Sequence, residues 1–260
     1  MAYEQPGRPG AYGGVGQAPP GGPGAAARPG AWVDLALTLP VFLVYHFGVV
    51  FLNVKNATDW VTTNLLTLAE GSRPMYLLIT AAIGVVFAGI FSWLGRGQAF
   101  RTSKFVQVLI EGTVYAILMR LAGSWAAGLF LGPAGSEGVV SGVVTSLGAG
   151  FYEELAFRVV LFGLGGQAIV WALTGERLSA LTGGTRLSAR GFFVTVGWAI
   201  VCALVFSGVH YIGPLRDSFA LPSFAFRATL GAVLTLIYVT RGFSTAVWAH
   251  AIYDVWVVVF

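Results

Sequence analysis

Apolar runs long enough to cross a membrane recur along this chain, each closed by a short polar stretch. The first covers about residues 31–52. Its Pro40 and His46 are tolerable inside a membrane helix, where neighbouring groups re-satisfy the backbone. Residues 53–74 mix polar and apolar positions and read as a connection with a short interfacial helix near 60–68. A second run covers 75–94, and a third, about 105–131, carries Glu111 and Arg120. These two lie about two and a half turns apart on a helix, so they do not pair with each other. Each is expected to face the bundle interior and find a partner on another helix. The stretch 137–173 exceeds an ordinary span of about 20 residues. It is either one long tilted helix or two helices broken near Gly163–Gly166. After the polar linker 174–190, further runs cover about 191–209, 221–239 and 243–259. The pattern predicts an all-α fold: a polytopic integral membrane helical bundle with seven or eight transmembrane helices.

The start of the chain breaks this pattern. Residues 1–30 hold nine Gly and six Pro with almost no large aliphatic side chains. Such a segment cannot bury enough apolar surface to offset the entropy of ordering its backbone. It is expected to be a disordered tail, and residues 31–260 a transmembrane domain. A signal peptide is not expected, because no apolar stretch follows the start quickly.

Composition narrows the class further. The chain is 56% hydrophobic and 10% charged, whereas soluble domains carry about 25% charged residues. The net charge of +4 does not point to nucleic acid, because the basic residues fall mostly between apolar runs. Arg96, Arg101 and Lys104, the linker 177–190 and Arg241 fit a cytoplasmic face, and seven crossings with a cytoplasmic N-terminus put all of them there. The expected partners are the lipid bilayer and a substrate within it, with no nucleic acid. Cys202 is the single cysteine, which excludes an intrachain disulfide and a cysteine-based metal cluster.

Against this apolar background a few ionisable residues stand out. Glu153 and Glu154 are adjacent, with Arg158 behind them, inside an apolar run. Burying such groups in a membrane costs several kcal/mol unless they are paired or used. On a helix Glu154 and Arg158 share a face, while Glu153 points about 100° away and can meet a cavity. His250 and Asp254 also share a face, and His210 ends a different run just ahead of a Gly-Pro pair, with Phe206 one turn earlier. Glu153, His210 and His250 are therefore expected to converge on one polar cavity. Hydrolysis of an amide suits this set, since water needs a general base and the tetrahedral intermediate needs donors. Two histidines and a carboxylate are also a donor set for zinc, at Glu153, His210 and His250. The competing reading is a non-catalytic membrane binding or transport protein whose buried ion pairs are structural. The absence of internal repeats disfavours a transporter.

Taken in order, EELAFR at 153–158, FSGVH at 206–210 and HAIYD at 250–254 resemble the signature of the CPBP family of intramembrane proteases, which includes the CAAX prenyl endopeptidase Rce1-like proteins. The resemblance covers about residues 140–260. It implies an intramembrane endopeptidase, glutamate-based or metal-dependent, acting on a membrane-anchored protein or peptide. It further implies that Glu153 and His210 activate the attacking water, that His250 with Asp254 stabilises the oxyanion or holds the site, and that Glu154, Arg158 and Phe206 support them. No cofactor is required by the glutamate route, and zinc is the alternative. Characterised relatives carry Asn where this chain has Asp254, and an ionised Asp cannot donate to an oxyanion. High Gly and Ala content, with arginine far outnumbering lysine, fits a bacterial cell (inner) membrane.

Overall fold

The computed structural model describes residues 31–56, 59–94, 102–127, 138–176, 187–212 and 217–260. The expected tail 1–30, the linker positions Arg96 and Arg101 and most of the linker 177–190 lie outside the described residues. Among the described residues every regular element is helical. The helices are α1 (Ala31–Ala36), α2 (Leu39–Leu52), α3 (Trp60–Leu68), α4 (Arg73–Leu94), α5 (Thr102–Ala127) and α6 (Val139–Glu153). A π-helical segment (Glu154–Leu164) leads into α7 (Gly165–Thr174), followed by α8 (Ala189–Val209), α9 (Leu221–Arg241) and α10 (Phe243–Val259).

Among the described residues six stretches are long and apolar enough to cross a membrane, and α10, with 17 residues, is a shorter apolar helix. The chain is thus a polytopic all-α bundle with six long apolar helices, where the sequence pattern led to seven or eight. One reason is that Val139–Thr174 runs on without a break as a single 36-residue unit. At Gly163–Gly166 the chain changes its winding instead of turning, passing from π back to α at Gly165. The first span is interrupted by a turn at Leu37–Thr38, and Pro40 sits in the first turn of α2, where its missing N–H leaves no extra gap.

Large apolar side chains such as Phe51, Val85, Trp125 and Phe193 are exposed on the outside of the bundle. A water-soluble surface avoids apolar display on this scale, whereas lipid accepts it. Polar and charged groups turn inward in their place. Arg241 Nε donates to Glu111 Oε2 at 2.9 Å, joining α9 to α5. The Arg120 guanidinium lies 5.7 Å from the Trp256 ring of α10. Both residues therefore meet other helices, as expected. His46, wholly buried, is held at both ring nitrogens, by Tyr76 Oη at 2.7 Å and Tyr152 Oη at 2.6 Å. That placement makes it a structural residue tying α2 to α4 and α6.

The last helix is the hub. α10 packs against α1, α5, α6, α9 and the π-helical segment. Its N-terminus is fixed by Asp34 of α1, which accepts from Phe243 N at 2.5 Å and Ser244 N at 3.2 Å. A carboxylate there satisfies orphan amides and complements the helix dipole. Gly242 precedes it at φ +102, and a Cβ at that position would stand 2.7 Å from Asp34 Oδ2. Against α6 the approach is equally close. A Cβ on Gly150 would lie 2.7 Å from Ala251 Cβ and 2.9 Å from Val247 O. Small residues at this crossing let the backbones meet, as is common between membrane helices. They also bring the end of α6, with its two glutamates, against the turn of α10 that carries His250.

Candidate active site

Glu153 is the last residue of α6 and Glu154 opens the π-helical segment. Segments of this winding concentrate at functional sites, because the inserted hydrogen-bond pattern redirects side chains. Both carboxylates are buried, Glu154 completely. They separate into different environments, as their angular offset on a helix predicts.

Glu154 faces the protein. Arg158 Nη1 stands 3.0 Å from Glu154 Oε1, and Arg158 Nη2 donates to Gly231 O at 3.3 Å. The guanidinium also lies 4.4 Å from the centre of the Phe206 ring, a cation–π distance. The expected Glu154–Arg158 pair is therefore formed, with Phe206 as its lid. The sequence did not reveal a third member: His250 Nδ1 donates to the same Glu154 Oε1 at 2.7 Å. The partners are 96 residues apart, and spacing along one helix carries no information about such a contact. Glu154 Oε2 and Arg158 Nε have no hydrogen-bond partner among the described residues.

Glu153 faces a cavity of about 550 Å³ whose walls include Phe206, His210, His250 and Asp254. With its Nδ1 turned to Glu154, His250 directs Nε2 towards the cavity carboxylates. That atom is 3.9 Å from Glu153 Oε2 and 3.4 Å from Asp254 Oδ2. His210 follows the last turn of α8, and its Nδ1 donates to Phe206 O at 2.9 Å. A carbonyl only accepts, so Nδ1 carries the proton. In the neutral ring Nε2 is then the proton acceptor. Glu153, His210, His250 and Asp254, from three different helices, share one cavity. The apolar side is formed by Phe226, Leu230 and Val257.

Asn56 and Arg227 are among the cavity residues that had no signal in the sequence. Asn56, on the loop after α2, lines the cavity together with Arg227 of α9. Arg227 pairs with Asp217 at 2.5 Å. Their polar side chains lie in ordinary linker and helix contexts, and only the fold brings them here. The zinc reading fits less well. Among the described residues no group of three His, Cys, Asp or Glu is arranged to hold a metal ion. Glu153, His210 and His250 share the cavity without standing close enough together to form such a ligand set.

Comparison with known families bears on the same segment. Residues 135–256 match the family model described as type II CAAX prenyl endopeptidase Rce1-like. The match contains all three motifs and leaves out α1 to α5. No curated protein and no solved structure gives a match.

Proposed function

We propose that this chain, whose residues 135–256 match the Rce1-like family model, is an endopeptidase that hydrolyses a peptide bond of a membrane-associated protein within the bilayer. The observation that carries this reading is the shared cavity of Glu153, His210, His250 and Asp254, walled by apolar residues inside a membrane bundle. Glu153 acts as the general base that takes one proton from the attacking water and then gives it to the departing amine nitrogen, with His210 Nε2 as a second hydrogen-bond acceptor for that water. Attack on the scissile carbonyl builds charge on its oxygen. His250 meets that charge when its Nε2 carries a proton. Glu154 at Nδ1 orients the ring and balances the imidazolium, as a buried carboxylate does for other catalytic histidines. Asp254, 3.4 Å from Nε2, holds the ring from the cavity side and does not itself donate. No step is routed through a metal.

The substrate class is a membrane-anchored protein or peptide. The prenylated C-terminal motif in the family description is not carried over, since no feature of the cavity selects for a prenyl group. In this reading α10 counts as the seventh crossing. Its 17 residues span about 26 Å, enough for a helix packed among others at the bilayer centre. The bundle resides in a bacterial inner membrane.

The test is mass spectrometry of cleavage products from membranes of cells carrying wild-type or Glu153→Gln protein. Products present with wild type and lost in the variant support the reading. Identical product sets from the two membranes would sink it, and leave the buried pairs as the architecture of a binding or transport protein.

A further inference from the structure

Among the described residues, the part of the chain ahead of the matched family segment reaches the cavity at Asn56. The geometry assigns Asn56, on the loop between α2 and α3, as a positioning residue that sets the orientation of Glu153. This rests on the endopeptidase reading for its functional meaning, although the contact itself does not.

The Asn56 side-chain amide donates to Glu153 Oε1 at 3.4 Å. The other oxygen, Oε2, is the one 3.9 Å from His250 Nε2. The two carboxylate oxygens are thereby made unequal. One is held by a neutral amide, and the other is directed at the histidine and the space where water must be activated. A general base on a freely rotating side chain would spend much of its time in unproductive orientations. Asp254 cannot substitute for the amide, because an ionised carboxylate has no proton to give.

Asn56 is itself held. Its backbone N–H donates to Tyr45 Oη at 2.9 Å, and Tyr45 Oη donates to Asp59 Oδ2 at 2.6 Å. Asp59 caps α3 by accepting from Thr62 N at 2.8 Å. Tyr45, Asp59 and Thr62 are buried. Tyr152, next to Glu153 in the chain, is bound to His46 at 2.6 Å. The loop is therefore anchored on the same side as the α6 terminus it serves. This network gives the buried polar groups of α2, α3 and α4 a use: they support one amide at the active carboxylate.

The experiment compares purified wild-type, Asn56→Ala and Asn56→Gln proteins by infrared difference spectroscopy. The Glu153 carboxyl band is assigned by its loss in Glu153→Gln. The backbone contact to Tyr45 survives substitution at position 56, so the loop keeps its anchor. The band is expected to shift in Asn56→Ala and to move back towards the wild-type position in Asn56→Gln, whose longer side chain retains the amide. In membranes, the yield of Glu153-dependent cleavage products should fall by up to about 100-fold in Asn56→Ala. An unmoved band in Asn56→Ala overturns the assignment, as does a shifted band with an unchanged product yield. If Glu153→Gln leaves the product set unaltered, the endopeptidase reading fails. The infrared band then still decides whether Asn56 orients Glu153.

Discussion

Replacing Glu154 by glutamine removes the carboxylate that holds both Arg158 and His250. Glu154 is completely buried and Arg158 is 1% exposed, so water cannot take over the lost charge. Removing one partner of a buried pair costs about 3–5 kcal/mol. The glutamine carbonyl still accepts one neutral hydrogen bond, which returns about 1 kcal/mol. The Phe206 face at 4.4 Å is present before and after the change and cancels. A net loss of about 2–4 kcal/mol remains, or roughly 30- to 1,000-fold in the folded population at 1.4 kcal/mol per tenfold. Glu153→Gln is different. Its amide still offers an oxygen to Asn56, and His250 Nε2 at 3.9 Å is beyond direct hydrogen-bond distance. That variant should lose no more than about 1 kcal/mol. The assay is the fraction of protein that remains monodisperse by size exclusion after stepwise heating in one detergent. Adding Arg158→Met to Glu154→Gln should recover much of the stability, because removing both charges avoids the unpaired one. It should not recover cleavage, since His250 still lacks its Nδ1 carboxylate. Equal thermal losses in Glu153→Gln and Glu154→Gln, or no recovery in the double variant, would refute this division of roles.

Other substitutions test neighbouring parts of the argument. His210→Ala should fold normally and lower the rate of Glu153-dependent cleavage by about 10²–10⁴-fold, read by product mass spectrometry. Asp254→Asn should keep activity within about tenfold of wild type, because the amide still accepts from His250 and adds a donor, while Asp254→Ala should lose more. Gly150→Ala places a Cβ 2.7 Å from Ala251 Cβ; forcing α6 from α10 should cost about 1–3 kcal/mol of thermal stability and reduce cleavage further by moving Glu153 from His250. Chelator treatment of purified active protein should leave its cleavage rate unchanged, since the cavity residues do not form a metal-holding group.

The architecture was legible because its cause is local. Continuous apolar runs of span length can be satisfied in lipid only as helices, so class and approximate boundaries follow from the pattern alone. The short interfacial helix expected near 60–68 within the mixed stretch 53–74 is present as Trp60–Leu68, and the structure adds Asp59 as its cap. The Glu154–Arg158 pair was also available, since both residues lie four apart on one helical stretch. Helix number was less determined. Hydropathy does not say whether residues 137–173 break or run on, and a change of winding at Glu154 is a compromise among packed neighbours. The sequence alone marked Glu153, His210 and His250 as costly in lipid, but it held no information on which atoms they would meet. That Glu154 is shared between Arg158 and His250, and that Asn56 reaches Glu153, required α6, α10 and the α2–α3 loop to be brought together. Those contacts join residues 96 and 97 positions apart, and their geometry is set by backbone approach at Gly150 and by a buried tyrosine network. A side chain's cost is written in its own chemistry, whereas its partner is chosen by how the helices cross.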